Sequence, residues 1–295
     1  MLEAQILQGR KISSAEIAEI GALIEANPLW SRCRLSRVLA QRWQWYALSG
    51  QLKDMAVRTL LLKLQERGHI ILPERRQAPP VRGRQLSPEL FDPWPHPQLV
   101  ADLSSLRPLQ IHVVAPKLAH YRQFQRYLGQ HHYLGYGGPV GENVGYLIQS
   151  CAGADLACLL FGAAAWQCAP RDRWIGWTAQ QRAQGLPFIA NNSRFLVLPW
   201  IRSPHLANHI LSQIAQRIDA DWQRRYHHPI WLLETFVQQD RFRGACYQAA
   251  NWIHVGQTTG RTRQSQRHRD HELHAPLKDI YLRPLSSDGC RQLCR

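Results

Sequence analysis

The chain has 295 residues, a hydrophobic fraction of 45% and a formal net charge of +15, with a pI near 10.0. That size and apolar content give room for a sizeable core in one large domain or two ordinary ones. No apolar run is long enough to span a bilayer, and the seven cysteines form no CxxC pair, so a reducing cytoplasm fits better than a disulfide framework.

The charge favours a polyanionic partner, most often nucleic acid; the alternative is a merely soluble basic protein. No basic amphipathic anchor stands out, which argues against a membrane partner. The N-terminus lacks a basic region followed by an apolar one, so no signal peptide is expected. Cys290 and Cys294 follow His268, His271 and His274, but the order and spacing match no zinc motif, and no metal site is expected there.

In chain order, residues 12–25 read as a helix, with Ser13 or Ser14 as cap and Ile17, Ile20 and Leu23 on one face. Asn27-Pro28 ends it. Residues 34–43 form a second helix, with Ser36 as cap, and 52–67 a third, stopped by Gly68. His69–Pro73 reads as a short strand. Three helices and a strand outline a winged helix-turn-helix over residues 1–76, whose third helix would enter the major groove. Lys53, Arg58, Lys63 and Arg67 would face DNA, and Arg75 and Arg76 would lie in the wing and linker. The plainer alternative is a small helical bundle with a solvated basic face.

Residues 77–108 are rich in proline and carry little periodicity, so they read as a linker and domain boundary. Residues 109–295 then read as one α/β domain. Strands are expected at 109–115, 143–149 and 156–165, with a helix from Lys117 to about Gln130. The stretch from Asn191 to Arg263 reads as strand, helix, strand, helix, strand, with polar residues gathered at element ends. Residues 277–284 form a last strand.

Glu234 is the most informative residue. Its neighbours Ile230, Trp231, Leu232, Leu233, Phe236 and Val237 suit a strand covered on both faces. A carboxylate there must be paired or face a cleft, and its pKa rises with burial. It is either a base or metal ligand, or one half of an ion pair with Arg241 or Arg243. Arg194, Arg202, Arg241, Arg243 and Arg261 suit phosphate contacts. A metal-dependent nuclease or transposase would need converging carboxylates, for which Asp172, Glu234 and Asp240 are the candidates.

Tyr133-Leu-Gly, Arg171-Asp-Arg-Trp-Ile-Gly-Trp, Asn191-Asn-Ser-Arg-Phe-Leu-Val-Leu-Pro-Trp, Leu233-Glu-Thr-Phe-Val and Cys246-Tyr-Gln-Ala-Ala-Asn-Trp resemble the DruA family, over most of the chain. That resemblance implies DNA and phage defence, or a mobile element, as the setting, with other defence-system proteins as further partners; it supplies no reaction and no oligomeric state. The strand order also resembles the acyl-coenzyme A N-acyltransferase fold, in which two central strands splay around the cofactor. Here those strands would be Arg194–Trp200 and Ile230–Val237. The loop Trp200–Asn208 would replace the family's glycine-containing pyrophosphate loop, with Ser203 and Pro204 opening the helix. The same resemblance makes Tyr247 a candidate acid; Asn251 lies one helical turn on. With Glu234 these form the candidate catalytic set. No cofactor is named by the sequence, and a degenerate acyltransferase-like domain that only binds DNA stays open as a reading.

Overall fold

A computed structural model describes residues 5–74, 96–260 and 275–294. The chain separates into two compact units, residues 1–81 and 82–295.

The first unit opens on a hairpin, β1 (Gln5–Leu7) and β2 (Arg10–Ile12), followed by α1 (Ser14–Ala26), α2 (Arg32–Arg42) and α3 (Asp54–Glu66). The start of α1 is fixed by a capping box. The Glu16 amide donates to Ser13 Oγ at 3.2 Å, and the Ser13 amide donates to Glu16 Oε2 at 2.8 Å. The cap of α2 is Ser31 rather than Ser36, which is buried inside the helix and donates to the Cys33 carbonyl. Ile20, Leu35, Leu39, Val57, Leu60 and Leu64 close the core at helical spacing.

The strand expected at 69–73 is absent. Ile70 and Leu72 do turn inward, but the segment has no partner strand, because β1 pairs with β2 ahead of the helices. Among the described residues no wing follows α3.

Residues 96–108 are not a linker but part of the second unit. β3 (Leu99–Val100) pairs in parallel with β8 (Ile201–Arg202), and α4 (Leu103–Leu106) buries Leu106 in the main core. The remainder of 77–108 lies outside the described residues.

The second unit is a mixed α/β layer structure. Its other elements are β4 (Gln110–Val114), α5 (Tyr121–His131), β5 (Asn143–Gln149), β6 (Asp155–Ala163), α6 (Ala169–Ile175), α7 (Ala179–Gly185) and β7 (Ile189–Val197). After β8 come α8 (Leu206–Tyr226), β9 (Leu232–Gln238), α9 (Ala245–Ala249), β10 (Ile253–Gln257), β11 (Lys278–Pro284) and α10 (Gly289–Leu293). The seven-stranded sheet runs β10-β11-β9-β7-β6-β5-β4. Every neighbouring pair is antiparallel except β7 and β9. Those two pair in parallel over Ile189–Asn192 and Leu232–Thr235 and then part.

β7 begins earlier than the apolar run Phe195–Trp200 suggests. Asn191, Asn192 and Ser193, which precede that run, sit within the strand. The register slips at Ser193: Leu160 faces Arg194 while Phe161 faces Asn192. This bulge keeps Asn192 and Phe195 on one side of the sheet and sends Arg194 to the other. α8 covers the Asn192 side, where Tyr146 donates to the buried Asp221 at 3.0 Å. α5 covers the opposite side over β5, so closely that a Cβ at Gly145 would meet Phe124 at 3.0 Å.

Candidate functional site

The parting of β7 and β9 leaves polar side chains on both sides of the sheet. Strand alternation puts Thr235 on the side of Asn192 and Glu234 on the other.

On the α8–α9 side the network is neutral. Tyr247 Oη donates to Asn192 Oδ1 at 2.7 Å, Asn192 Nδ2 donates to the Arg194 carbonyl at 3.0 Å, and Thr235 Oγ1 donates to the Asn192 carbonyl at 3.0 Å. All three residues are buried, and burial pushes the Tyr247 phenol far above its ordinary range. Asn251 does not join them. It lies beyond the end of α9, exposed, at φ 59°, and its carbonyl accepts from Arg283. The helix ends at Ala249, two residues short of carrying Asn251 onto the Tyr247 face.

On the opposite side Glu234 is fully enclosed, and its partner is Arg171, not Arg241 or Arg243. Arg171 Nη1 donates to Glu234 Oε2 at 2.8 Å and to the Ala165 carbonyl at 2.7 Å. The Ala165 amide donates to Glu234 Oε1 at 2.6 Å. The same guanidinium grips Asp172 through Nε and Nη2, at 2.9 and 2.7 Å, and Arg182 reaches Asp172 Oδ2 at 3.3 Å. Burial lifts the Glu234 carboxyl, Arg171 and the Ala165 amide oppose that rise, and the two carboxylates hold Arg171 charged. Glu234 and Tyr247 therefore face opposite sides and share no cleft face.

Asp172 and Glu234 do converge, but on a guanidinium. Asp240 sits exposed in the turn after β9. Among the described residues no group of three or more His, Cys, Asp or Glu is placed to hold a metal ion.

At the open end of the strand pair, on the Glu234 side, cations collect. Arg194 is half-buried and donates only to carbonyls, of Gly135 at 3.0 Å and Ser193 at 2.7 Å. Lys278, at the start of β11 beside Gln238, is also half-buried. Burial and the Arg194 charge hold its ammonium pKa below the ordinary value. Burial, reinforced by Arg194, drives His132 down to about 4, so it stays neutral and accepts from the Leu134 amide. The Arg241 guanidinium sits 5.2 Å from the Tyr133 ring centre, and Phe242 packs 5.4 Å from the same ring. Neither Arg194 nor Lys278 has a carboxylate partner among the described residues. Lys278, Tyr133 and Phe242 were not singled out as binding residues by the sequence; Lys278 carries no signal beyond opening the last strand.

The remaining sequence candidates are dispersed. Arg202 is exposed on β8, and Arg243 is exposed before α9. Lys53 precedes α3, Arg58 lies 3.7 Å from Asp54 and 3.1 Å from Cys33 Sγ, and Lys63 and Arg67 lie at the end of α3. Arg75, Arg76 and Arg261 lie outside the described residues. The first turn of α8 has no side-chain cap; it follows His205 at φ 62°, two residues later than Ser203 and Pro204 would set it.

The DruA family model, described as Druantia protein DruA, matches residues 82–267. The chain belongs to the DruA family. Membership ties it to Druantia and thus to the anti-phage setting expected from the motifs. No curated protein sequence matches the chain. The solved structures it resembles include the spermidine/spermine N-acetyltransferase SpeG from Vibrio cholerae, with 5% identity, TM-score 0.38, and coverage of 62% of this chain and 96% of that one. Another is an N-acetyltransferase from Staphylococcus aureus, with 8% identity, TM-score 0.34, and coverage of 60% and 97%. At these TM-scores neither likeness says what this chain binds. Among the described residues no helix is long and apolar enough to cross a membrane.

Proposed function

We propose that this DruA-family chain is a DNA-binding component of anti-phage defence, and that the open end of the β7–β9 pair contacts phosphate. The observation that carries this is the half-buried Arg194, whose guanidinium meets only carbonyls, with Lys278 near enough to feel its charge. Two half-buried cations without acidic partners among the described residues raise each other's energy, and an anion relieves both. The +15 net charge extends the attraction over the molecule.

A second reading, acyl transfer on or near DNA, is favoured by one feature. Phe195, Leu196 and Val197 stay half-buried because β9 leaves β7 after Asn192, which opens a gap in the sheet. Glu234 is a poor base for that chemistry, since Arg171 and the Ala165 amide occupy both its oxygens. The nuclease or transposase reading finds no support in the placement of Asp172, Glu234 and Asp240.

The test is duplex binding measured by anisotropy as salt is varied. Each phosphate contact adds a slope of about −0.9 in log affinity against log salt, so Arg194→Gln should make the slope shallower by about one. Affinity that does not change with salt rejects DNA binding. Melting with and without acetyl-coenzyme A, run alongside, reads the second function: a ligand bound only to the native state raises Tm.

A further inference from the structure

We infer that the open end of the β7–β9 pair takes an unpaired nucleotide of a DNA strand, its phosphate on Arg194 and Lys278 and its base against Phe242 and Tyr133; this rests on the DNA-binding reading above. Four separate parts of the chain meet here. β7 supplies Arg194, β11 supplies Lys278, and the turns after α5 and β9 supply Tyr133, Arg241 and Phe242.

The chemistry of the two halves differs. Arg194 and Lys278 offer half-buried positive charge without a carboxylate among the described residues. Asp240, exposed on the adjoining turn, makes no ion pair with either. That half selects a phosphate. Phe242 is 47% exposed, and its ring centre lies 5.4 Å from that of Tyr133. Arg241 lies over the Tyr133 ring, so the aromatic surface is itself next to positive charge. A flat, apolar, π-bearing group covers such a ring best. A nucleotide carries both groups on one scaffold. A duplex presents phosphates but keeps its base faces stacked inside, so it can satisfy the cations and leave Phe242 wet. An unpaired nucleotide satisfies both halves, by the pairing of basic groove and stacking ring that single-strand binders use.

The test uses the full chain and four probes read by anisotropy: a short single strand, the same strand without bases, a blunt duplex of equal length, and free dAMP as competitor. The single strand should bind on the order of tenfold more tightly than the abasic strand, and Phe242→Ala should erase that difference while leaving abasic binding unchanged. Arg194→Gln should weaken both strands alike. Phe242 is exposed, so its truncation leaves the core intact; retained Tm confirms this. Equal, salt-dependent binding of all three DNA probes overturns the inference but leaves DNA binding standing. Binding of none rejects both. Displacement of the strand by micromolar dAMP would show that the ligand is a free nucleotide and overturn the inference.

Discussion

The two sides of the β7–β9 pair bury polar groups in opposite ways. On the α8–α9 side Tyr247, Asn192 and Thr235 exchange neutral hydrogen bonds. On the other side Arg171 binds Glu234 and Asp172 as ions, and at the open end Arg194 and Lys278 remain without acids among the described residues. Asn192 and Arg194 are two residues apart on β7, and Glu234 and Thr235 are adjacent on β9, yet their energetic positions differ. The neutral side is complete within itself, and so is the Arg171 cluster. The cationic end is complete only with something added. A carboxylate in an apolar strand thus marks structure here, while the proposed function rests on cations that have no acidic partner among the described residues.

Glu234→Gln should have the largest effect on stability. It removes the charge opposite a fully buried guanidinium, and breaking a buried pair costs about 3–5 kcal/mol. Asp172 still holds Arg171, so the loss should fall near the lower end. Denaturant unfolding would measure it; an unchanged midpoint would mean that the pair does not support the fold. DNA binding by the folded fraction should be unaltered.

Tyr247→Phe should cost less, about 1–2 kcal/mol, because it leaves one buried amide oxygen of Asn192 without its donor. A loss as large as that of Glu234→Gln would erase the distinction between the ionic and neutral sides.

A third effect, seen only on acidification, concerns His132. Its folded pKa is about 4 against an ordinary value of 6.5, so the neutral ring is the one the fold accepts. The associated stability is fully present above pH 6.5 and is lost as pH falls towards 4. His132→Asn can keep an acceptor for the Leu134 amide without titrating. Its Tm should fall less than the parent's between those two pH values, and an identical fall in both would remove His132 from the account.

Much of the fold could be read in advance where the signal is local. The apolar spacing of α1 and α3 and the Ser13 cap need only neighbours three or four residues away. Arg171 could not be found that way, because it meets Glu234 across 63 residues. The side on which Arg194 emerges depends on the bulge at Ser193, which no alternation pattern reveals. The strand after α3 failed for a related reason: alternate burial of Ile70 and Leu72 signals extended chain, but pairing needs a partner elsewhere. Asn251 matched Tyr247 by helical spacing, and a helix ending at Ala249 broke the match.

Mechanically, the seven-stranded sheet is two leaves joined by a short stitch. β4 to β7 form one leaf and β9 to β11 the other, and each contains antiparallel ladders of up to seven residue pairs. Between the leaves run four facing pairs, Ile189 with Leu232 through Asn192 with Thr235. Any load that pulls the leaves apart is concentrated on those four pairs, and the Arg194–Lys278 end is where the lever arm begins.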